Sequence, residues 1–259
     1  MTTWNSGDKS ANITLSGGSL IATATSSTIG AVRATTSASS GKVYYEAIML
    51  VAAGSDYGLG WANSTAALSA FIGADKNGVA CFPAFTGGAF FFNGANLAGG
   101  TGFITGSLQL LTLCVAFDIG GLLIWARTGG SYWNNSATAD PGTGTGGIGV
   151  STINAGPYFP VFGSNSSGAS VVVNFGATDF GYPVPSGFAG LDTNTQAFAA
   201  TTKILGYPVL SPPRATVSAS KILGLGLLSP PRNAVSLSKM VGYAILGPPR
   251  ERVFATFLD

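Results

Sequence analysis

The chain of 259 residues has no histidine, and only 8% of its residues are charged, where an ordinary soluble domain carries about 25%. Without histidine, Ser-His-Asp and Cys-His catalytic arrangements and His-ligated zinc are excluded. Glutamate occurs twice (Glu46, Glu251), and so does glutamine (Gln109, Gln196). Those two types, with Lys and Arg, normally fill exposed helix faces, so a helical protein is excluded too. Cys81 and Cys114 are the only cysteines, too few for a disulfide framework or a four-thiolate metal site. Two buried thiols are expected instead. Met1 to Lys9 is polar, and no secretory signal is expected. What is plentiful is small: 38 Gly, 27 Ser and 25 Thr. The apolar share of 46% supplies a core and excludes disorder of the charged, weakly hydrophobic kind. An all-β chain of one to two domains is expected, at ~150 residues per domain.

One segment imitates a membrane span. Leu108 to Ala126 is nineteen mostly apolar residues, close to the ~20 of a spanning helix. Asp118-Ile119-Gly120-Gly121 interrupts it. An acidic residue before a Gly pair, between two apolar runs, predicts a hairpin. Residues 111–117 and 122–126 are then two buried strands, and no membrane insertion is expected.

Charge and proline divide the chain. Residues 1–199 hold five basic and eight acidic residues, net −3; residues 200–259 hold seven and two, net +5. Seven of 13 prolines lie beyond residue 207. A boundary is expected in Asp192 to Gln196, giving domains 1–192 and 193–259. The second part is an internal repeat. Lys203, Lys221 and Lys239 are 18 apart, as are Pro212-Pro213-Arg214, Pro230-Pro231-Arg232 and Pro248-Pro249-Arg250. Each copy has period-2 alternation, with large apolar residues on one face and Ser and Gly on the other, and is expected to be one long strand followed by a proline turn. Repeat units of this size bury little alone. The tail is expected to pack on its own first domain, on copies of itself, or on a larger assembly, with its cations as turn-end charges or as contacts for an acidic partner. Seven cations diluted in apolar sequence make a poor nucleic-acid patch, so no nucleic-acid partner is expected.

Residues 1–192 carry short apolar runs separated by Gly, Ser, Asn and Asp: 12–15, 20–25, 30–35, 43–50, 57–61, 78–82, 90–93, the 111–126 hairpin, 158–162 and 171–175. So many short strands at regular turn spacing predict a sandwich. Several have recognisable sequences. Gly41-Lys42-Val43-Tyr44-Tyr45-Glu46 and Tyr57-Gly58-Leu59-Gly60-Trp61 resemble two early strands of SPRY domains. Asp75-Lys76-Asn77-Gly78, Phe92-Asn93-Gly94, the Leu113–Trp125 hairpin, Tyr158-Phe159-Pro160-Val161, Val173-Asn174-Phe175-Gly176 and Phe180-Gly181-Tyr182 follow in the family's order. The resemblance implies a SPRY-like (concanavalin-like) antiparallel β-sandwich. It also implies a binding module rather than an enzyme, with ligand specificity in the loops at one edge and Glu46 and Asp118 structural. The low charge, the opening Trp4-Asn5-Ser6-Gly7-Asp8-Lys9 and the repeated strand-plus-Gly-Pro-Pro tail also resemble virion proteins of tailed bacteriophages.

Other chemistry is sparse. Gly144-Thr145-Gly146-Gly147-Ile148-Gly149 matches a dinucleotide fingerprint by letter but lacks its strand-turn-helix context. No carboxylate pair stands out for glycoside hydrolysis. No cofactor and no metal are expected. One cluster fits a ligand: Tyr132-Trp133-Asn134-Asn135 offers an aromatic face beside amides, as a sugar ring requires. The alternative is that Trp133 packs over the sandwich end. Tyr57 and Phe85 are weaker glycan contacts. The expected function is a non-enzymatic phage virion structural protein, located at the particle surface. It would serve in capsid or tail decoration or as a fibre-type host-attachment module, and would form a homo-oligomer, a trimer, through the repeats. A cellular SPRY-type protein-binding adaptor and a glycan-degrading tail depolymerase are the alternatives.

Overall fold

The computed structural model describes residues 1–51, 57–82, 88–101 and 109–192 and, beyond them, only the strand residues given below. The chain divides into two compact units, Met1–Asn194 and Thr195–Asp259.

The first unit is an all-β sandwich of two seven-stranded sheets. One sheet contains β1 (Trp4–Lys9), β4 (Gly30–Ala34), β13 (Phe159–Ser164), β6 (Tyr57–Ala62), β7 (Gly78–Phe82), β8 (Ala89–Phe92) and β9 (Ala95–Thr101), in that spatial order. The other contains β12 (Ile148–Gly149), β11 (Leu123–Thr128), β10 (Thr112–Asp118), β5 (Lys42–Val51), β14 (Ser170–Asn174), β3 (Ile21–Ala24) and β2 (Ile13–Ser16). Every pairing in both sheets is antiparallel. The apolar run at 108–126 is the expected hairpin: β10 and β11 pair from Leu113↔Thr128 to Asp118↔Leu123. Asp118 shapes the turn, its Oδ1 accepting the Gly121 N–H at 3.0 Å, and its carboxylate lies 3.6 Å from Lys42 Nζ. No helix among the described residues is long and apolar enough to cross a membrane.

Aromatic rings fill the space between the sheets. Tyr45 of β5 meets Trp61 of β6 edge-on at 5.4 Å, Trp61 lies 5.8 Å from Phe117, and Trp4 meets Phe175 at 5.2 Å. The Tyr45 hydroxyl donates across the sandwich to the Gly60 carbonyl at 3.1 Å. Each sheet is also covered on its outer face. Residues 66–72 lie over the first sheet, where Ala66 and Ile72 cluster with Ala31, Ala62, Ala80, Phe82 and Val161. Residues 133–139 and 180–188 lie over the second, where Trp133 and Phe188 cluster with Tyr44, Cys114, Ala116 and Trp125. Strands covered on both faces cannot alternate, and β6 and β7 are accordingly buried at every position. This double cover accounts physically for the scarcity of charge. Gly60 of β6 has a separate cause: a Cβ there would run into the Val79 carbonyl of the paired strand β7.

The second unit is built by parallel pairing. β15 (Ala199–Ala200), β18 (Ser218–Ala219), β21 (Val235–Val241), β19 (Ile222–Leu223), β16 (Ile204–Leu205) and β23 (Val253–Phe257) form one sheet. β17 (Val209–Leu210), β20 (Gly226–Leu228) and β22 (Ala244–Leu246) form another. Ile204 pairs Ile222 and Ile222 pairs Met240; Val209 pairs Leu227 and Leu227 pairs Ile245. The sequence period of 18 is thus the pairing step at these positions. The expected single long strand per repeat is replaced by strands in two different sheets. The described strands end at Leu205, Leu223 and Val241 in the larger sheet, and the next begin at Val209, Gly226 and Ala244 in the smaller one.

Candidate interaction surface

The two ends of the sandwich differ. At one end the chain passes from sheet to sheet after β3, β5, β9 and β13, and β7 turns back into β8. The register places these together: Gly30 pairs Ser164, Ser164 pairs Tyr57, Ser170 pairs Val51, and Thr112 pairs Ile48. Three of the five exposed large apolar side chains of the described residues lie here: Ile48 (37% exposed), Val51 (44%) and Leu110 (69%). Leu110 also has φ 64°, a left-handed conformation that a leucine adopts at a cost of roughly 1–2 kcal/mol. Its backbone is fixed by the Met49 carbonyl, which accepts the Leu110 N–H at 2.7 Å. An apolar side chain held exposed on a strained backbone is a surface feature that packing within this sandwich does not account for.

At the other end a polar network ties the connections together. Asn77 Oδ1 accepts from Thr65 Oγ1 at 2.9 Å and from Asn154 Nδ2 at 2.8 Å, while Asp75 accepts from the Asn77 backbone and side-chain amides, both at 2.8 Å. On the flank, Arg33 forks onto Asp8 at 2.8 and 2.9 Å and donates through Nη1 to the Ala66 and Asn63 carbonyls at 2.7 and 3.2 Å.

The aromatic-amide cluster predicted from sequence is split by the structure. Trp133 is 7% and Asn134 5% exposed. The Arg127 guanidinium sits 4.3 Å over the Trp133 ring, and the Tyr44 ring meets it edge-on at 6.4 Å. The expected sugar-stacking face of Trp133 is therefore occupied by protein. Asn134, at φ 48°, accepts the Ala126 N–H at 2.8 Å and donates to the Gly146 carbonyl at 2.9 Å and the Ile124 carbonyl at 3.3 Å. Its amide secures the loop instead of meeting a ligand. Tyr132 and Asn135 point to solvent. Tyr57 is fully buried, its hydroxyl pushed up to about 12 by burial. Phe85 and, among the repeat residues, Lys203, Pro212, Pro213, Arg214, Lys221, Pro230, Pro231, Arg232, Pro248, Pro249 and Arg250 lie outside the described residues; Lys239 belongs to β21.

Beneath the 180–188 cover, Arg127, Cys114, Glu46 and Asn174 form one row across the second sheet. Glu46 accepts from Tyr44 Oη at 2.7 Å and from the Gly181 and Tyr182 backbone N–H groups at 2.7 and 2.9 Å. Arg127 Nη2 donates to the Pro183 carbonyl at 3.2 Å. The row fastens the cover and does no evident chemistry. Burial pushes the Cys114 thiol up to about 11 and the Cys81 thiol to about 12, and both cysteines are free. The described residues hold no group of three or more His, Cys, Asp or Glu that could bind a metal. The 144–149 loop opens no helix. Trp125 Nε1 donates to the Thr145 carbonyl at 3.0 Å, and a Cβ on Gly147 would run into the Trp125 indole. Those glycines serve packing over a tryptophan.

Sequence reasoning missed Ile48, Val51 and Leu110. The signal was present for one of them: Ile48 continues the Tyr44, Glu46 face of β5, and the cover over that face ends before it reaches Ile48.

No protein-family profile matches this chain, and no curated protein does. Among solved structures it is similar to SPRY domains. The SPRY domain of human HERC1 is 14% identical with a TM-score of 0.48, over 66% of this chain and 96% of that one. The TRIM65 PSpry domain is 13% identical with a TM-score of 0.47, over 67% and 91%. A human SPRY domain is 15% identical with a TM-score of 0.47, over 66% and 99%.

Proposed function

We propose that this chain is a non-enzymatic interaction and assembly protein. In this proposal the sandwich is displayed outward, and the 18-residue repeats join it to copies of itself within a phage particle, as capsid or tail decoration or a host-attachment module. The observation that carries the interaction reading is the gathering of Ile48, Val51 and Leu110 at the loop end, beside the polar, internally satisfied opposite end. Exposed large apolar side chains brought to one end of a domain suit a contact. The assembly reading rests on the tail: a periodic, apolar strand repeat with +5 net charge, against −3 for residues 1–199.

Two changes in the full chain test the two halves of this reading. Deletion of residues 200–259 is expected to reduce a multi-copy species to a monomer by light scattering; a truncated chain of unchanged mass refutes assembly through the repeats. Leu110→Asp is expected to leave that mass unchanged while removing surface binding, measured on intact host cells as the probe. Undiminished cell binding by Leu110→Asp refutes the role of the loop end. Binding to a soluble cellular protein with no affinity for cells or particles favours the adaptor alternative.

A further inference from the structure

The second unit is assembled by pairing copies of one sequence with each other. In the larger sheet, Ala200 pairs Ala219, Ala219 pairs Leu237 and Leu237 pairs Ala255, all in parallel. A second column runs Ile204, Ile222, Met240, Phe257. Among the described residues, β15 and β16 are the first strands of these columns and β23 the last. Among the described residues each pairs along one side only: β15 with β18, β16 with β19 and β23 with β21. The other side of each is a row of backbone donors and acceptors, a template for a further strand.

The strand that fits such an edge is one whose sequence repeats that already paired. Ile204 and Leu205 accept Ile222 and Leu223 in register, so an edge of this sequence is complementary to the sequence itself. We infer that the β15–β16 edge of one copy pairs in parallel with β23 of a second copy of this chain. Copies then add head to tail and extend one continuous sheet. The inference rests on the proposed assembly through the repeats and specifies its geometry. A head-to-tail contact is heterologous: it propagates into rows, and gives a closed trimer only if the rotation per copy closes at three.

Charge sets the conditions. Residues 193–250 contain six cations (Lys203, Arg214, Lys221, Arg232, Lys239, Arg250) and no acidic residue. Residues 200–259 carry net +5, so each added copy brings like net charge to like. Salt screens that repulsion within about 10 Å at 0.1 M. Association by edge pairing therefore strengthens with salt, whereas association through an acidic partner surface weakens.

The test is a cysteine pair in the full chain, Ala200→Cys with Ala255→Cys. Within one copy these positions are three strand steps apart, roughly 14 Å at about 4.8 Å per step. A disulfide requires Cα atoms within about 7 Å, so only a second copy can close the bond. Under oxidation the variant is expected to run on a non-reducing denaturing gel as disulfide-linked dimers and higher multiples instead of single chains, more so at high salt. The control Ala200→Cys with Leu237→Cys, one step out of register between copies, is expected to stay unlinked. Should the double variant misfold, an equimolar mixture of the two single variants is expected to give a linked heterodimer. Oligomeric wild-type protein whose Ala200→Cys/Ala255→Cys form stays unlinked, or links no better than the control, overturns the edge pairing and leaves the proposed function standing. Wild-type protein that is monomeric overturns both.

Discussion

Glu46 is the place where the cover over the second sheet is most exposed to a single change. Its carboxylate accepts three hydrogen bonds, from Tyr44 Oη and from the Gly181 and Tyr182 backbone, at 2.7–2.9 Å. Glu46→Ala removes the acceptor and leaves three donors. A buried donor left without a partner costs about 1–3 kcal/mol. Gly181 lies at the surface and regains water, whereas Tyr44 is fully buried between Phe180 and Trp133. A loss of about 3 kcal/mol follows for the whole substitution. A domain stability of about 5–15 kcal/mol leaves the sandwich folded. Urea unfolding at neutral pH measures the loss. Native-state hydrogen exchange then locates it: the amides of Gly181 and Tyr182 are expected to lose protection while those of β10 and β5 do not. Glu46→Gln keeps one acceptor oxygen and is expected to lose about half as much. A Glu46→Ala protein within about 0.5 kcal/mol of wild type, the range of an inconsequential surface change, refutes this account of the cover.

Gly60→Ala places a methyl group against the Val79 carbonyl in a strand buried on both faces, and is expected to destabilise the sandwich by about 3 kcal/mol or to prevent folding, read by thermal unfolding. Leu110→Gly releases a left-handed leucine and is expected to raise stability by about 1 kcal/mol while weakening surface binding, a pairing of signs that a purely structural residue does not give. Cys81 and Cys114 are held protonated by burial, their thiols raised to about 12 and 11 from an ordinary 9.0. The folded state thus binds the thiol protons more tightly, so their contribution to stability is complete below pH 9 and declines as pH rises toward 11–12. Both thiols are expected to resist a thiol reagent at pH 8 until denaturant is added.

Much of the sandwich is legible in the sequence, because short apolar runs punctuated by Gly and Asp mark strands wherever burial decides them. The 78–82 strand and the 111–126 hairpin are of this kind. β1, β9 and β12 are not. Trp4–Lys9 is mostly polar and pairs at a sheet edge through an irregular register, Ala95–Thr101 is made of small residues, and Ile148–Gly149 is two residues long. Nothing apolar and periodic marks such strands. Trp133 takes the packing alternative, and the choice between packing and ligand contact was not legible for a related reason. The position of Trp133 and Asn134 in a polar loop is visible in sequence, but the direction of their side chains is set by Arg127, Ala126 and Gly146, partners at separations that no local pattern encodes. In the tail the period of 18 is legible. The division of each repeat between two sheets is visible only in the pairing.

The proposal that copies of this chain are joined through their repeats is the one to test first. A low-resolution electron-microscopy image of the full-length assembly tests it most directly. The proposal predicts particles of several copies in contact through the repeats. Isolated single copies, or copies joined sandwich to sandwich with the tails free, contradict it.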